Sequence, residues 1–120
     1  MDGEFRVFDY QRGDAHRLAL TGELDLVSAP ALIEIASALC RDGARQLLLD
    51  ISELAFADST GLRALLSVET LCAEHGCDFS LTRGTEQIER LFEIMRLFQN
   101  LPVRAEPDRT KERPVVLWPQ

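Results

Sequence analysis

Residues 47–66 constrain this chain most. An apolar run, Leu47-Leu48-Leu49-Asp50-Ile51, reads as a buried strand, without the alternation of a sheet wetted on one face. The stretch Phe56-Ala57-Asp58-Ser59-Thr60-Gly61 follows, and from Leu62 to Glu74 apolar residues recur at helical spacing. At about 100° per residue, Ala64, Leu65, Val68, Leu71 and Cys72 gather on one side of that helix. Ser59, Arg63, Ser67, Thr70 and Glu74 gather on the other, with Leu62 and Leu66 at the border. The loop sets an acid, two hydroxyls and a glycine beside the unpaired N–H groups and positive dipole end of the helix. A serine so placed is either a cap or a residue addressed by chemistry. Asp58 reads as a cap or a loop-ordering acid, and Asp50, closing the strand, as a partner for loop amides.

The flanking chain supplies what such a strand and helix must pack against. Glu4 to Tyr10 is aromatic and β-branched enough for a strand, Gln11-Arg12-Gly13-Asp14 is a turn, and His16 to Leu20 alternates as the second arm of a hairpin. Thr21-Gly22-Glu23-Leu24-Asp25 leaves that strand. Ser28 can cap a helix with Pro30 in its first turn, carried by Leu32, Ile35, Ala36, Leu39 and Cys40 and stopped by Gly43. Beyond His75-Gly76, Asp78 to Thr82 forms another strand, and Gly84-Thr85-Glu86 opens a third helix with Ile88, Leu91, Phe92 and Met95 as its stripe. Pro102 to Ala105 can supply a short edge strand. The order β-β-α-β-α-β-α predicts an α/β domain, a mixed β-sheet of four to five strands with three or more α-helices packed on it. Residues 1–106 are expected to form this domain. Residues 107–120 are expected to form a C-terminal tail whose apolar end, Val115 to Trp118, packs back on the domain or docks a partner.

Charge and cysteine content narrow the function. At pH 7 the formal net charge is −7, so nucleic acid and anionic lipid surfaces should repel the chain, and a protein partner is the easier expectation. The longest apolar runs are too short to span a bilayer. Met1-Asp2-Gly3-Glu4-Phe5 lacks the basic patch and apolar core of a signal peptide, so a cytoplasmic location is expected. Cys40, Cys72 and Cys77 are odd in number and form no CxxC pair, which suits reduced thiols acting as small hydrophobes.

The segment Gly22-Glu23-Leu24-Asp25, the run Leu47 to Ile51 and the signature Asp58-Ser59-Thr60-Gly61-Leu62 stand in one order and at one spacing. Together they closely resemble a STAS domain of the anti-sigma factor antagonist type, over about Phe5 to Val103. That resemblance implies a partner-switching protein of bacteria. In such families the unphosphorylated antagonist binds an anti-sigma factor, often a serine kinase of the GHKL type, and frees a sigma factor. The kinase phosphorylates the serine after the aspartate, here Ser59, and a serine phosphatase reverses the step. Thr60 stands where many members have a second serine, and Asp25 matches a family position near the phosphorylation site. The partner surface expected from the resemblance and the helix face together comprises Asp25, Asp58, Thr60, Gly61, Leu62, Arg63, Leu66, Ser67 and Thr70. Whether the protein is a monomer or a weak dimer stays open.

Catalytic readings lack support. No GxSxG elbow surrounds Ser59, His16 and His75 sit at no arguable triad position, and no GxxxxGK[ST] loop is present. The cysteines and histidines do not show zinc spacing. The expectation is a binding module with no enzyme activity, cofactor or metal. The alternative of a different class is a STAS subunit that regulates a membrane lipid or anion transport complex.

Overall fold

The protein is described from a computed structural model covering residues 3–96, 101–104 and 113–119. A hairpin starts the chain, β1 (Arg6–Arg12) and β2 (Ala15–Leu24), followed by α1 (Ala29–Arg41), β3 (Gln46–Asp50), β4 (Leu54–Ala57) and α2 (Ser59–Glu74). Then come β5 (Asp78–Thr82), α3 (Glu86–Met95), β6 (Val103–Arg104) and β7 (Val115–Trp118). The sheet is mixed and runs β6-β5-β3-β2-β1-β7, with β4 paired to β2 off that path. β1 is antiparallel to β2 and β7, while β2, β3, β5 and β6 run parallel to one another.

The α/β class and the mixed sheet stand, but the sheet has seven strands where four to five were expected. One addition is β4. As β3 ends, the far half of β2 becomes free, and Gly22, Glu23 and Leu24 pair in parallel with Leu54, Phe56 and Ala57. β2 therefore continues to Leu24, beyond the point at which the sequence reading lets it go. The other addition is β7, where Val115, Val116 and Trp118 pair with Asp9, Phe8 and Val7. The apolar end of the tail thus packs back on the domain as an edge strand.

Register explains the core. Val7 lies across from Leu20, Leu18 from Leu49, and Leu49 from Leu81, so their side chains share one face. They join Leu32 and Ala36 of α1 and Leu65, Val68 and Cys72 of α2 in the buried cluster. The other face is more polar than an unbroken apolar run suggested. Arg17 lies across from Leu48, and its Nη1 donates to Asp50 Oδ2 at 3.1 Å while the guanidinium stacks 3.8 Å from the Tyr10 ring centroid. Asp50 also accepts from Ser52 N at 3.1 Å and from Thr82 Oγ1 at 3.3 Å, so this acid does order the loop beyond β3.

α1 and α2 end in the same way. Beyond α2, Cys77 N donates to Cys72 O at 2.8 Å and Gly76 N to Ala73 O at 3.4 Å. Beyond α1, Ala44 N donates to Leu39 O at 3.0 Å and Gly43 N to Cys40 O at 3.2 Å. Both are Schellman closures with glycine in the left-handed region, φ 95° at Gly43 and 68° at Gly76. These glycines stop the helices where the sequence places the stops.

Candidate functional site

The start of α2 is built by Asp58. Its backbone is extended (φ −93°, ψ −177°), and its Oδ1 accepts from Gly61 N at 2.7 Å, the geometry of an N-cap. The cap is therefore Asp58, and Ser59, exposed as the first residue of the helix, is not spent on that role. The second carboxylate oxygen of Asp58 accepts from Leu26 N at 3.3 Å, which ties the loop between β2 and α1 to the helix start. Asp58 N in turn donates to Leu24 O at 3.2 Å.

Asp25 orders the same loop from the other side. Its Oδ1 accepts from Val27 N at 3.0 Å and Ser28 N at 3.1 Å. These bonds, the Ser28 N–H foremost, hold the Asp25 carboxyl below its ordinary value against the opposing effect of desolvation. Ser28 stands at the N-cap position of α1, yet its side chain makes no cap bond. Its backbone is already helical (φ −91°, ψ −19°), and Oγ turns back to donate to Glu23 O at 2.8 Å and to accept from Asp25 N at 2.9 Å. The residue expected to start α1 instead closes a loop beside α2.

The expected site residues divide by depth. Asp25, Asp58, Thr60 and Leu66 are half-buried, and Ser59, Arg63, Ser67 and Thr70 are exposed along one side of α2. The hydroxyls of Ser67 and Thr70 donate to carbonyls one turn back, Arg63 O at 3.2 Å and Leu66 O at 3.3 Å. Gly61 and Leu62 are buried, and Leu62, at the border of the two helix faces in the sequence, falls on the core side with no exposed area of its own. The cause is the tight seating of the helix start on β2. A Cβ at Gly61 would collide with the Leu24 carbonyl, so only glycine lets α2 come that close and carry Leu62 into the core.

Two surface residues escaped the sequence reading. Leu26 and Val27 are 69% and 86% exposed in the loop held by Asp25 and Asp58. Two apolar residues inside a turn bounded by Asp25 and Ser28 were the available signal, because neither fits a strand or helix stripe. With Phe56 at 49% on β4, the described surface offers apolar contacts along with the acids. Among the described residues no helix is long and apolar enough to cross a membrane.

A mixed sheet packed with helices, one of them capped by an acid beside an exposed serine and an apolar loop, defines an α/β domain. A family model described as "Mlab, STAS domain" matches residues 8–103, and the chain belongs to the STAS domain family. Its curated relatives include the anti-sigma-B factor antagonist of Staphylococcus aureus (strain NCTC 8325 / PS 47), 27% identical over 82 residues, covering 68% of this chain and 76% of that protein. The anti-sigma-B factor antagonist of Bacillus subtilis (strain 168) is 29% identical over 89 residues, 74% of this chain and 81% of that one. Among solved structures, an anti-sigma factor antagonist from Mycobacterium paratuberculosis has the same fold, with a TM-score of 0.76 at 21% identity over 88% of this chain and 90% of that one.

Proposed function

We propose that this chain is an anti-sigma factor antagonist switched at Ser59. In its unphosphorylated form it binds an anti-sigma factor that is itself a serine kinase of the GHKL type, and so releases a sigma factor. Phosphorylation of Ser59 by that kinase weakens the complex, and a serine phosphatase restores it. The relatives' names support the general role, and one observation supports the switch: Asp58 fills the cap and leaves Ser59 exposed at the helix start.

The physical consequence of a phosphate there is asymmetric. It adds about −1.5 to −2 charge beside Asp58, whose carboxylate holds the neighbouring loop that carries Asp25. Within the domain a helix start accommodates an anion, so the fold should persist. A partner packed over Leu26, Val27 and the Arg63–Thr70 side of α2 would instead have to bury a dianion among carboxylates, which is costly unless that charge is paired. About 1.4 kcal/mol of such penalty is tenfold in affinity, so a modest mismatch suffices.

Affinity capture from the native host tests the proposal, with wild type, Ser59→Ala and Ser59→Asp as baits and intact-mass analysis of each recovered bait. Wild type and Ser59→Ala should capture a kinase-like partner, Ser59→Asp should lose it, and wild type should carry a phosphate that a phosphatase removes. Capture of one membrane complex by all three baits, with no phosphate, would overturn the switch and favour the transport-subunit reading.

A further inference from the structure

The two Schellman closures at the ends of α1 and α2 bring three thiols together. Cys72 and Cys77 occupy the two positions whose side chains that closure sets in contact. Cys40, in the last turn of α1, approaches from the neighbouring helix. The three sulfurs lie within 4.8 Å of one another, and the residues are 5%, 0% and 5% exposed for Cys40, Cys72 and Cys77. No disulfide joins them. Packing as small hydrophobes accounts for their burial, but it does not require three sulfurs from three separate segments to meet at one point.

We infer that Cys40, Cys72 and Cys77 form a three-sulfur site for a trivalent thiophilic metalloid, with arsenite as the simplest ligand. Coordination number carries the first part of the argument. With metal–sulfur bonds of about 2.3 Å, three sulfurs around one centre stand at most about 4 Å apart, so the cluster needs only a small contraction. Among the described residues no histidine, aspartate, glutamate or further cysteine joins the group as a fourth donor. A structural zinc site requires four ligands, whereas trivalent arsenic is satisfied by three sulfurs and a lone pair.

Charge carries the second part. Soft thiolates select soft acceptors, and each protein ligand gives up its proton on binding. Three thiolates around a monovalent ion leave two negative charges in a dry site, and around a divalent ion they leave one. Around trivalent arsenic they leave none, which matters where unpaired buried charge is expensive. Burial pushes the Cys72 thiol well above its ordinary value, helped by Cys77 and Cys40, and burial raises Cys77 as well.

Loading is an exchange without redox change. Arsenous acid, uncharged at neutral pH, loses its three hydroxyls as three As–O bonds and three S–H bonds break. Three As–S bonds and three O–H bonds form, and three waters leave. The product joins the ends of α1 and α2 to the start of β5. α2 has 16 residues, a length of about 24 Å, so this site sits a full helix away from Ser59 and does not depend on the proposed switch.

The test uses the reduced, folded chain with arsenite, and separately with zinc, read by native mass spectrometry and thermal unfolding. Arsenite should give one adduct per chain, with a mass of chain plus arsenic minus three protons, and a raised unfolding midpoint. Zinc should give neither effect. Changes in the outer shell of metal sites already cost about 10–100-fold, so removing a ligand by Cys40→Ala should weaken binding by at least that much. Absence of an adduct on the folded wild type, an adduct lacking only two protons, or displacement of arsenic by zinc would each overturn the assignment. Equal uptake by Cys40→Ala would do the same. The wild-type mass decides even if that variant fails to fold.

Discussion

The two ends of α2 are built from opposite materials. At the N-terminal end an aspartate caps the helix, its carboxylate also holds a neighbouring loop, and an exposed serine stands beside exposed leucine and valine. At the C-terminal end a backbone closure does the capping and the side chains turned inward are thiols. A charge-bearing event at the first end meets solvent or a partner; at the second it would meet the core. One helix can therefore carry a surface signal at one terminus while the other anchors it, because a single terminus does not have to do both.

Substitutions can break this contrast, and their expected effects fall in order. Leu62→Ala, at the buried root of the N-terminal end, should destabilise by about 2–5 kcal/mol, read by urea unfolding. A loss below 1 kcal/mol would mean that Leu62 is less deeply packed than its full burial indicates. Gly76→Ala forces a Cβ into the left-handed region at φ 68° and should cost about 1–2 kcal/mol while leaving partner capture intact. Asp58→Ala should cost about 0.5–2 kcal/mol and, unlike Gly76→Ala, should also impair capture, because the loop bearing Leu26 and Val27 loses an anchor. If the two variants affected capture alike, the division of labour along α2 would be wrong.

Smaller effects sharpen the same comparison. Ser59→Asp should change stability by less than about 0.5 kcal/mol, as for surface substitutions generally, even while it abolishes capture. A large stability loss would make Ser59 part of the scaffold. Asp25 gives a pH signature. Its folded value lies below the ordinary 3.8, so its contribution is present above the unfolded value and is lost as pH falls through the folded one. The stability gap between wild type and Asp25→Asn should therefore be full near neutrality and shrink below about pH 4, which acid titration of the two proteins reads directly.

Legibility followed the physics of each element. β3 and α2 were readable because apolar content and period are local properties of their own residues. The stops at Gly43 and Gly76 were readable because the left-handed region favours glycine. β4 was not, since Leu54–Ala57 is four residues long and exists by pairing with the part of β2 that β3 leaves free. Leu62 stood at the border of the two helix faces in the sequence, and helical phase alone could not decide its side, because it says nothing of how closely Gly61 lets α2 approach Leu24. Asp9 and His16 reveal another limit: their carboxylate–imidazole contact at 2.9 Å is buried on the hairpin, and only the cross-strand register brings the two together. The meeting of Cys40 with Cys72 and Cys77 likewise needs the packing of two helices, which no spacing records.

The pairing of β7 with β1 has a consequence for synthesis. Val7 meets Trp118 and Asp9 meets Val115, so the outer edge of the first strand is sealed by residues that leave the ribosome long after it. A nascent chain that has made all three helices and most of the sheet still shows an open strand edge, the kind that recruits other chains. Translation that stalls before Val115 would release a nearly complete fold with that edge uncovered.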